Sequence, residues 1–358
     1  MGSNNSVLID IHLDRTNPLY YAGETVSGTI NVHFKAGQIK VDEIILLLSG
    51  EVGYTTTRSV NDSNGSSHTE THYHTKSFLK IKKIVESPQP EQKVLVYYPG
   101  DYSWRFDIVL PAHLPPSLNL PRSYPHVRYY LKLVMDKPWY KRNTKEILYL
   151  TVFPRVNIMQ NPQLLVPTLF SNHNRKDVTL KGNINKLAYL QGEIITGTLD
   201  IINPRHTVLK QVKLSLFQYY TIQNNSKQET IVEIILPIFA HQTDEQIMDK
   251  FSLTIPSIPL APSYEFHGDF DCKTFVDVSY GLEFHVKAEG MFTNFNVTIP
   301  ITIVTESNMD STKYELDQTM NFSQNSLSYY PQMSNDNSTN PPPSYNSIAF
   351  HDYPHKFL

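Results

Sequence analysis

Cysteine is all but missing: one thiol, Cys272, stands in 358 residues. A lone thiol cannot close an intramolecular disulfide, and it leaves a structural zinc site short of thiolate ligands. No apolar run reaches the roughly 18 residues that span a bilayer, and the N-terminus has neither the charged start nor the apolar core of a secretory signal. The chain is therefore expected in the cytosol, with its Asn-x-Ser/Thr sequons unglycosylated. A basic excess is missing too: 31 Lys and Arg stand against 34 Asp and Glu, a net charge of -3. Nucleic-acid binding needs a concentrated cationic face, so that class is excluded. Helical periodicity is nowhere sustained. There is no phosphate-cradling Gly-rich loop, no Gly-x-Ser-x-Gly elbow and no His-Glu-x-x-His pair, so no enzyme signature and no cofactor site is expected. What is abundant is turn-forming and strand-forming: 24 Pro, 22 Tyr and 17 Phe, the balance of a β-rich fold.

A repeat sets the architecture. The segment Tyr20-Tyr-Ala-Gly-Glu-Thr-Val-Ser-Gly-Thr-Ile-Asn-Val32 recurs as Tyr189-Leu-Gln-Gly-Glu-Ile-Ile-Thr-Gly-Thr-Leu-Asp-Ile201. In each copy apolar residues fall at every second position, the period of a strand with one buried face. Gly23-Glu24 and Gly192-Glu193 read as the turn entering that strand. Gly28 and Gly197 sit on its inward face, where a missing side chain signals a bulge or a close backbone approach. Further pairs follow in order: Phe106 to Pro111 with Phe251 to Pro256, and Val127-Arg-Tyr129 with Val278-Ser-Tyr280. Short alternating strands between Pro, Gly, Asn and Ser turns predict an all-β chain of two tandem immunoglobulin-type sandwiches. The expected division is 1–157 for the first, 158–177 for a hinge, 178–305 for the second and 306–358 for a disordered tail. From residue 306 onward two basic and six acidic side chains lie among Asn, Ser, Gln, Pro and Tyr, too little apolar surface to build a core.

The tail contains Asn340-Pro-Pro-Pro-Ser-Tyr345. Consecutive prolines pre-form a polyproline II helix, so Pro342 and Pro343 enter the aromatic groove of a WW domain with little entropy left to lose, and Tyr345 sets direction and register. At this Pro and Tyr content about 0.1 such matches are expected by chance. Two other tail segments, Tyr330 to Met333 and Tyr345 to Ile348, fit the Tyr-x-x-apolar pattern read by clathrin adaptors. At the other end, Met1-Gly-Ser-Asn-Asn-Ser6 fits the N-myristoylation pattern at Gly2.

The Gly-Glu-x-x-Ser-Gly strand, the run Pro99-Gly-Asp-Tyr-Ser-Trp-Arg-Phe-Asp-Ile-Val-Leu-Pro111, Val127 to Lys132, Asp136-Lys-Pro138 and the hinge Val156 to Pro167 together resemble the α-arrestins, the arrestin-domain-containing and thioredoxin-interacting-like group, over roughly residues 7–305. The resemblance implies a non-enzymatic trafficking adaptor at the plasma membrane and endosomes. It would hold cytosolic segments of membrane proteins while Pro342, Pro343 and Tyr345 bring a WW-domain HECT-type ubiquitin ligase. A coat subunit of a retromer-like complex shares the architecture and is the alternative; a carbohydrate-binding or hydrolytic sandwich lacks an aromatic platform and paired carboxylates here. The receptor-binding arrestins sense phosphate through a Lys pair near the first strand, whereas Ile9 to Arg15 offers two Asp and one Arg, so that route is not expected. No clathrin-box-like stretch is found.

Three local features complete the reading. His68, His72 and His74 lie beside a polar stretch read as a long hairpin loop, and are expected to be a solvated His-rich loop instead of a metal site. Cys272 is read as an inert, half-buried thiol. Through residue 157 there are 18 Lys and Arg against 14 Asp and Glu, and 13 against 20 thereafter. Within the basic half, Lys137, Lys141, Arg142 and Lys145 surround Trp139-Tyr140, a grouping suited to anionic headgroups or acidic cargo tails.

Overall fold

A computed structural model describes residues 7–61, 67–120, 123–137, 144–175, 177–268, 273–291 and 293–307. Ten strands build the first half: β1 (Val7–Leu13), β2 (Leu19–Tyr21), β3 (Thr25–Phe34), β4 (Ile39–Val41), β5 (Glu43–Asn61), β6 (Ser67–Glu86), β7 (Leu95–Tyr97), β8 (Gly100–Val109), β9 (His126–Asp136) and β10 (Thr144–Phe153). Ten more build the second: β11 (Thr168–His173), β12 (Thr179–Ile184), β13 (Ala188–Tyr189), β14 (Ile194–Ile202), β15 (Leu209–Ile222), β16 (Asn225–Leu236), β17 (Gln246–Thr254), β18 (Tyr264–His267), β19 (Phe275–Ala288) and β20 (Phe295–Ile303). Three short 3-10 turns are the only helical elements among the described residues.

Each half is a sandwich. In the first, the sheet β1-β3-β8 packs over β2-β10-β9-β5-β6, with β4-β7 as a small extra ladder; in the second, β11-β12-β14-β17 packs over β13-β20-β19-β15-β16, and β18 joins β19. Both larger sheets close with one parallel pair, β2 on β10 and β13 on β20, so the repeat extends to topology. The alternation of β3 is carried through: Val26, Ile30, Val32 and Phe34 are buried, as are Ile195, Leu199 and Ile201 on β14. Apolar side chains on every second residue are what drives two such faces together.

The inward glycines are close backbone approaches. A Cβ on Gly28 would stand 2.1 Å from the His12 carbonyl oxygen and 2.9 Å from the Phe106 ring; on Gly197 it would meet the Asn183 carbonyl oxygen at 2.1 Å and Phe251 at 2.6 Å. The same glycine thus admits the same phenylalanine in both domains. Gly23 and Gly192, at φ +87° and +79°, occupy the left-handed region at the turn entering each strand, which glycine reaches at no steric cost. Tyr129 donates its hydroxyl to the Pro115 carbonyl at 2.6 Å, and Tyr280 donates to the Ala261 carbonyl at 2.6 Å.

Two expectations need correction. The stretch read as hinge, 158–177, contains β11, which pairs with β12 and belongs to the second sandwich. Only alternate residues of β11 are even partly covered, and Phe170 is its one packing aromatic, stacked on Phe284 at 5.2 Å and lying over Gly182. A strand this short and polar lacks the apolar alternation that announces one. The His-rich segment is also strand, not loop: β5 and β6 run as a ladder of 19 and 20 residues that carries His68, His72 and His74 to its far end, on exposed or half-buried positions. Continuous backbone pairing holds it extended where side-chain pattern alone suggests solvent.

The two sandwiches touch along a seam that is partly polar and partly aromatic. The Thr55 amide on β5 donates to Asn225 Oδ1 at 2.6 Å, and Asn225 Nδ2 returns a bond to the Thr55 carbonyl at 2.9 Å. Asn119 Nδ2 donates to Tyr220 Oη at 3.2 Å, and His113 Nδ1 shares a 2.7 Å hydrogen bond with Tyr264 Oη. Phe266 packs at a tilt against Phe78 and His113, at 6.0 and 5.0 Å between ring centroids. Buried side chains from both halves form one contiguous apolar cluster.

Candidate functional site

The repeated Gly-Glu turn carries more than a change of direction. Glu193 Oε2 accepts from the Leu190 amide at 2.9 Å and from Lys186 Nζ at 2.8 Å, and that ammonium lies 4.9 Å from the Tyr189 ring. In the first domain Glu24 Oε2 accepts from the Tyr21 amide at 3.1 Å and from Arg15 Nη1 at 3.0 Å, and the guanidinium covers the Tyr20 ring at 4.1 Å. Carboxylate, cation and buried tyrosine recur as a unit. Burial pushes both tyrosine hydroxyls up to about 12, so neither ionises in the ordinary range.

The first copy has one addition. Arg155, two residues beyond β10, donates Nη2 to Glu24 Oε1 at 3.0 Å and Nη1 to Glu306 Oε1 at 2.6 Å. Around this fork the chain leaving the second sandwich is tied to the connector. The Thr305 and Glu306 amides donate to the Val156 carbonyl, the Ile158 amide donates to the Glu306 carbonyl at 3.0 Å, and the Val156 amide donates to Thr305 Oγ1 at 2.7 Å. Beneath lie Ile158, Ala188 and Val304, a small apolar cluster of their own. One guanidinium therefore joins the entry turn of the first domain to the exit of the second. Sequence reading took Glu24 as a turn residue and passed over Arg155 and Glu306; an isolated cation between a strand and a connector was the only signal.

Lys137 and Lys145 come together at the end of the β9–β10 hairpin, where Lys137 Nζ donates to Thr144 Oγ1 at 2.7 Å and Lys145 is exposed opposite Val134. Lys141 and Arg142, like Gly2, Cys272, Pro342, Pro343 and Tyr345, lie outside the described residues. On β1, Asp10 and His12 pair with each other at 2.8 Å, and Arg15 is committed to Glu24. Glu70 lies between His68 and His72, at 3.5 and 3.7 Å. Among the described residues no group of three or more His, Cys, Asp or Glu is arranged to hold a metal ion.

Two tandem sandwiches joined in this way have a known counterpart: residues 9–159 match the family described as arrestin (or S-antigen), N-terminal domain, and residues 174–308 match arrestin (or S-antigen), C-terminal domain. The chain belongs to the arrestin family. The two matches cover the first and second sandwich in order, and the repeat seen in the sequence is the pair of arrestin domains. Membership brings the general role of that family, binding of partner proteins in trafficking. The arrestin domains also put the glutamate turns in context: they occupy the same place in both halves, and only the first is bridged to the end of the second.

Proposed function

We propose that this arrestin-family chain is an α-arrestin-type adaptor without catalytic activity of its own. Its two sandwiches engage cytosolic segments of membrane-protein cargo, and Pro342, Pro343 and Tyr345 recruit a WW-domain HECT-type ubiquitin ligase. Ubiquitin then reaches the cargo by proximity, directing endocytosis and endosomal sorting. The observation that carries the reading is the Pro-Pro-Ser-Tyr motif placed behind two arrestin domains in one chain. A lone motif binds one WW domain weakly, so cargo and ligase sharing a membrane supply the effective concentration. Acylation at Gly2 and the cations Lys137, Lys141, Arg142 and Lys145 serve as weak membrane or acidic-cargo contacts, since one myristoyl chain anchors only reversibly.

Calorimetric titration of a WW domain into the full chain tests the ligase half of this reading. Tyr345→Ala should weaken binding by about tenfold or more, with the thermal midpoint unchanged. Equal binding by the native and variant chains would refute ligase recruitment through this motif.

A further inference from the structure

The outer face of the five-stranded sheet in the first domain has an unusual composition. Four strands, β10, β9, β5 and β6, contribute three successive rungs to it: Lys145, Val134, Ile45 and Ile84; then Ile147, Lys132, Leu47 and Lys82; then Tyr149, Tyr130, Ser49 and Lys80. Four lysines, two tyrosines and five aliphatic residues occupy this block, and no carboxylate does. None of the five aliphatics belongs to the core cluster, while Ile84 and Ile147 are 51% and 43% exposed. Carboxylates appear only at the margins. Glu43 is held by Lys82 at 2.8 Å, Asp136 stands across from it, and Glu51 is held by Arg128 and by the Tyr130 hydroxyl. Lys80, Lys132 and Lys145 make no ion pair with a carboxylate among the described residues, and Lys132 feels Glu51 only at longer range.

We propose that this face is a docking surface for an anionic lipid bilayer, with Lys80, Lys132 and Lys145 meeting headgroups and the exposed aliphatics resting in the interfacial layer. The inference rests on the peripheral-membrane part of the function proposed above and assigns it to residues. Strand spacing places the lysines at separate points across about 14 Å. Dispersed point charges suit many laterally mobile headgroups, whereas a peptide is captured by a free strand edge, a groove or a convergent fork. At the centre of the block β9 and β5 are each hydrogen-bonded on both sides, so only side chains are on offer there, and the free edge of β6 lies at the block's margin. Burial and the neighbouring Lys145 and Lys80 hold the Lys132 ammonium below the usual lysine range against the opposing pull of Glu51, and an approaching anion would offset that shift. Aliphatic stems of lysine lie along apolar surface while the ammonium reaches polar headgroups.

The test is vesicle flotation with the full chain carrying Gly2→Ala, so that no acyl chain contributes. Native surface residues should bind phosphatidylcholine vesicles containing about 30% phosphatidylserine, not phosphatidylcholine alone, and should release as ionic strength rises past about 0.15 M, where the Debye length falls below about 8 Å. Lys80→Glu, Lys132→Glu and Lys145→Glu together should cut binding by about tenfold or more. The charge-matched set Lys181→Glu, Lys210→Glu and Lys250→Glu in the second domain should leave it intact. A triple alanine version repeats the measurement if charge reversal unfolds the sheet. Equal binding to neutral and anionic vesicles, binding to neither, capture of acidic peptides without vesicle binding, or undiminished binding by the triple variant would each overturn the proposal. WW-domain titration on the same samples separates the two readings. Intact WW binding without vesicle binding removes this inference alone; vesicle binding without WW binding removes ligase recruitment alone.

Discussion

His126 opens β9 fully buried, its Nδ1–H donating to the Ser123 carbonyl at 2.6 Å while Nε2 meets no partner. Burial, reinforced by the Arg128 guanidinium, lowers its pKa from 6.5 to about 4. The folded protein thus resists a proton that the unfolded chain accepts. Its stability contribution is whole above pH 6.5 and is lost as pH falls from there to about 4, at roughly 1.4 kcal/mol per pH unit. Urea unfolding at pH 7 and pH 5 should show the native chain losing about 2 kcal/mol more than His126→Gln; equal losses would mean the imidazole is protonated in the fold. Nothing in the sequence marks this residue, because its burial depends on the bare Gly53, whose Cβ would stand 2.2 Å from the ring. By contrast Gly28 and Gly197 were legible. Each interrupts an otherwise regular apolar face, and the only physical reason to leave such a gap is that something else fills it.

At the scale of elements, paired strands with strong alternation were readable from the repeat, while β11 and the distal β5–β6 ladder were not. Their exposed, polar residues are held by backbone bonds to neighbours far along the chain, and such bonds leave no trace in composition. The Arg155 fork belongs with them: Glu24, Arg155 and Glu306 are brought together only when both sandwiches are complete. Arg155→Ala would leave two carboxylates beside one another without their shared cation, at a cost of about 1–3 kcal/mol for partly buried, charge-assisted bonds. Hydrogen exchange at the Ile158 and Glu306 amides should accelerate by about tenfold or more in this variant. Cleavage within the connector should come earlier under limited proteolysis. Unchanged exchange at both amides would show that the backbone ties and the small apolar cluster suffice without the fork.

For the whole molecule, the order of two β domains was legible because duplication leaves matched residues behind. The seam between the domains was not, since Thr55 and Asn225, or Phe78 and Phe266, sit in unrelated parts of the pattern and carry no common signal. That seam has a thermodynamic consequence. Sandwiches linked only by a flexible joint would melt separately, but here the apolar cluster runs from one into the other and opening either exposes Phe78 or Phe266 and strands the paired Asn225. Scanning calorimetry on the full chain should therefore record one endotherm whose van't Hoff enthalpy equals its calorimetric enthalpy. Two resolved endotherms, or a van't Hoff value near half the calorimetric one, would mean that each domain is its own unit of melting. With a single unit, a destabilising substitution anywhere in either sandwich lowers the midpoint of both, so damage far from any partner-binding surface still removes both domains together.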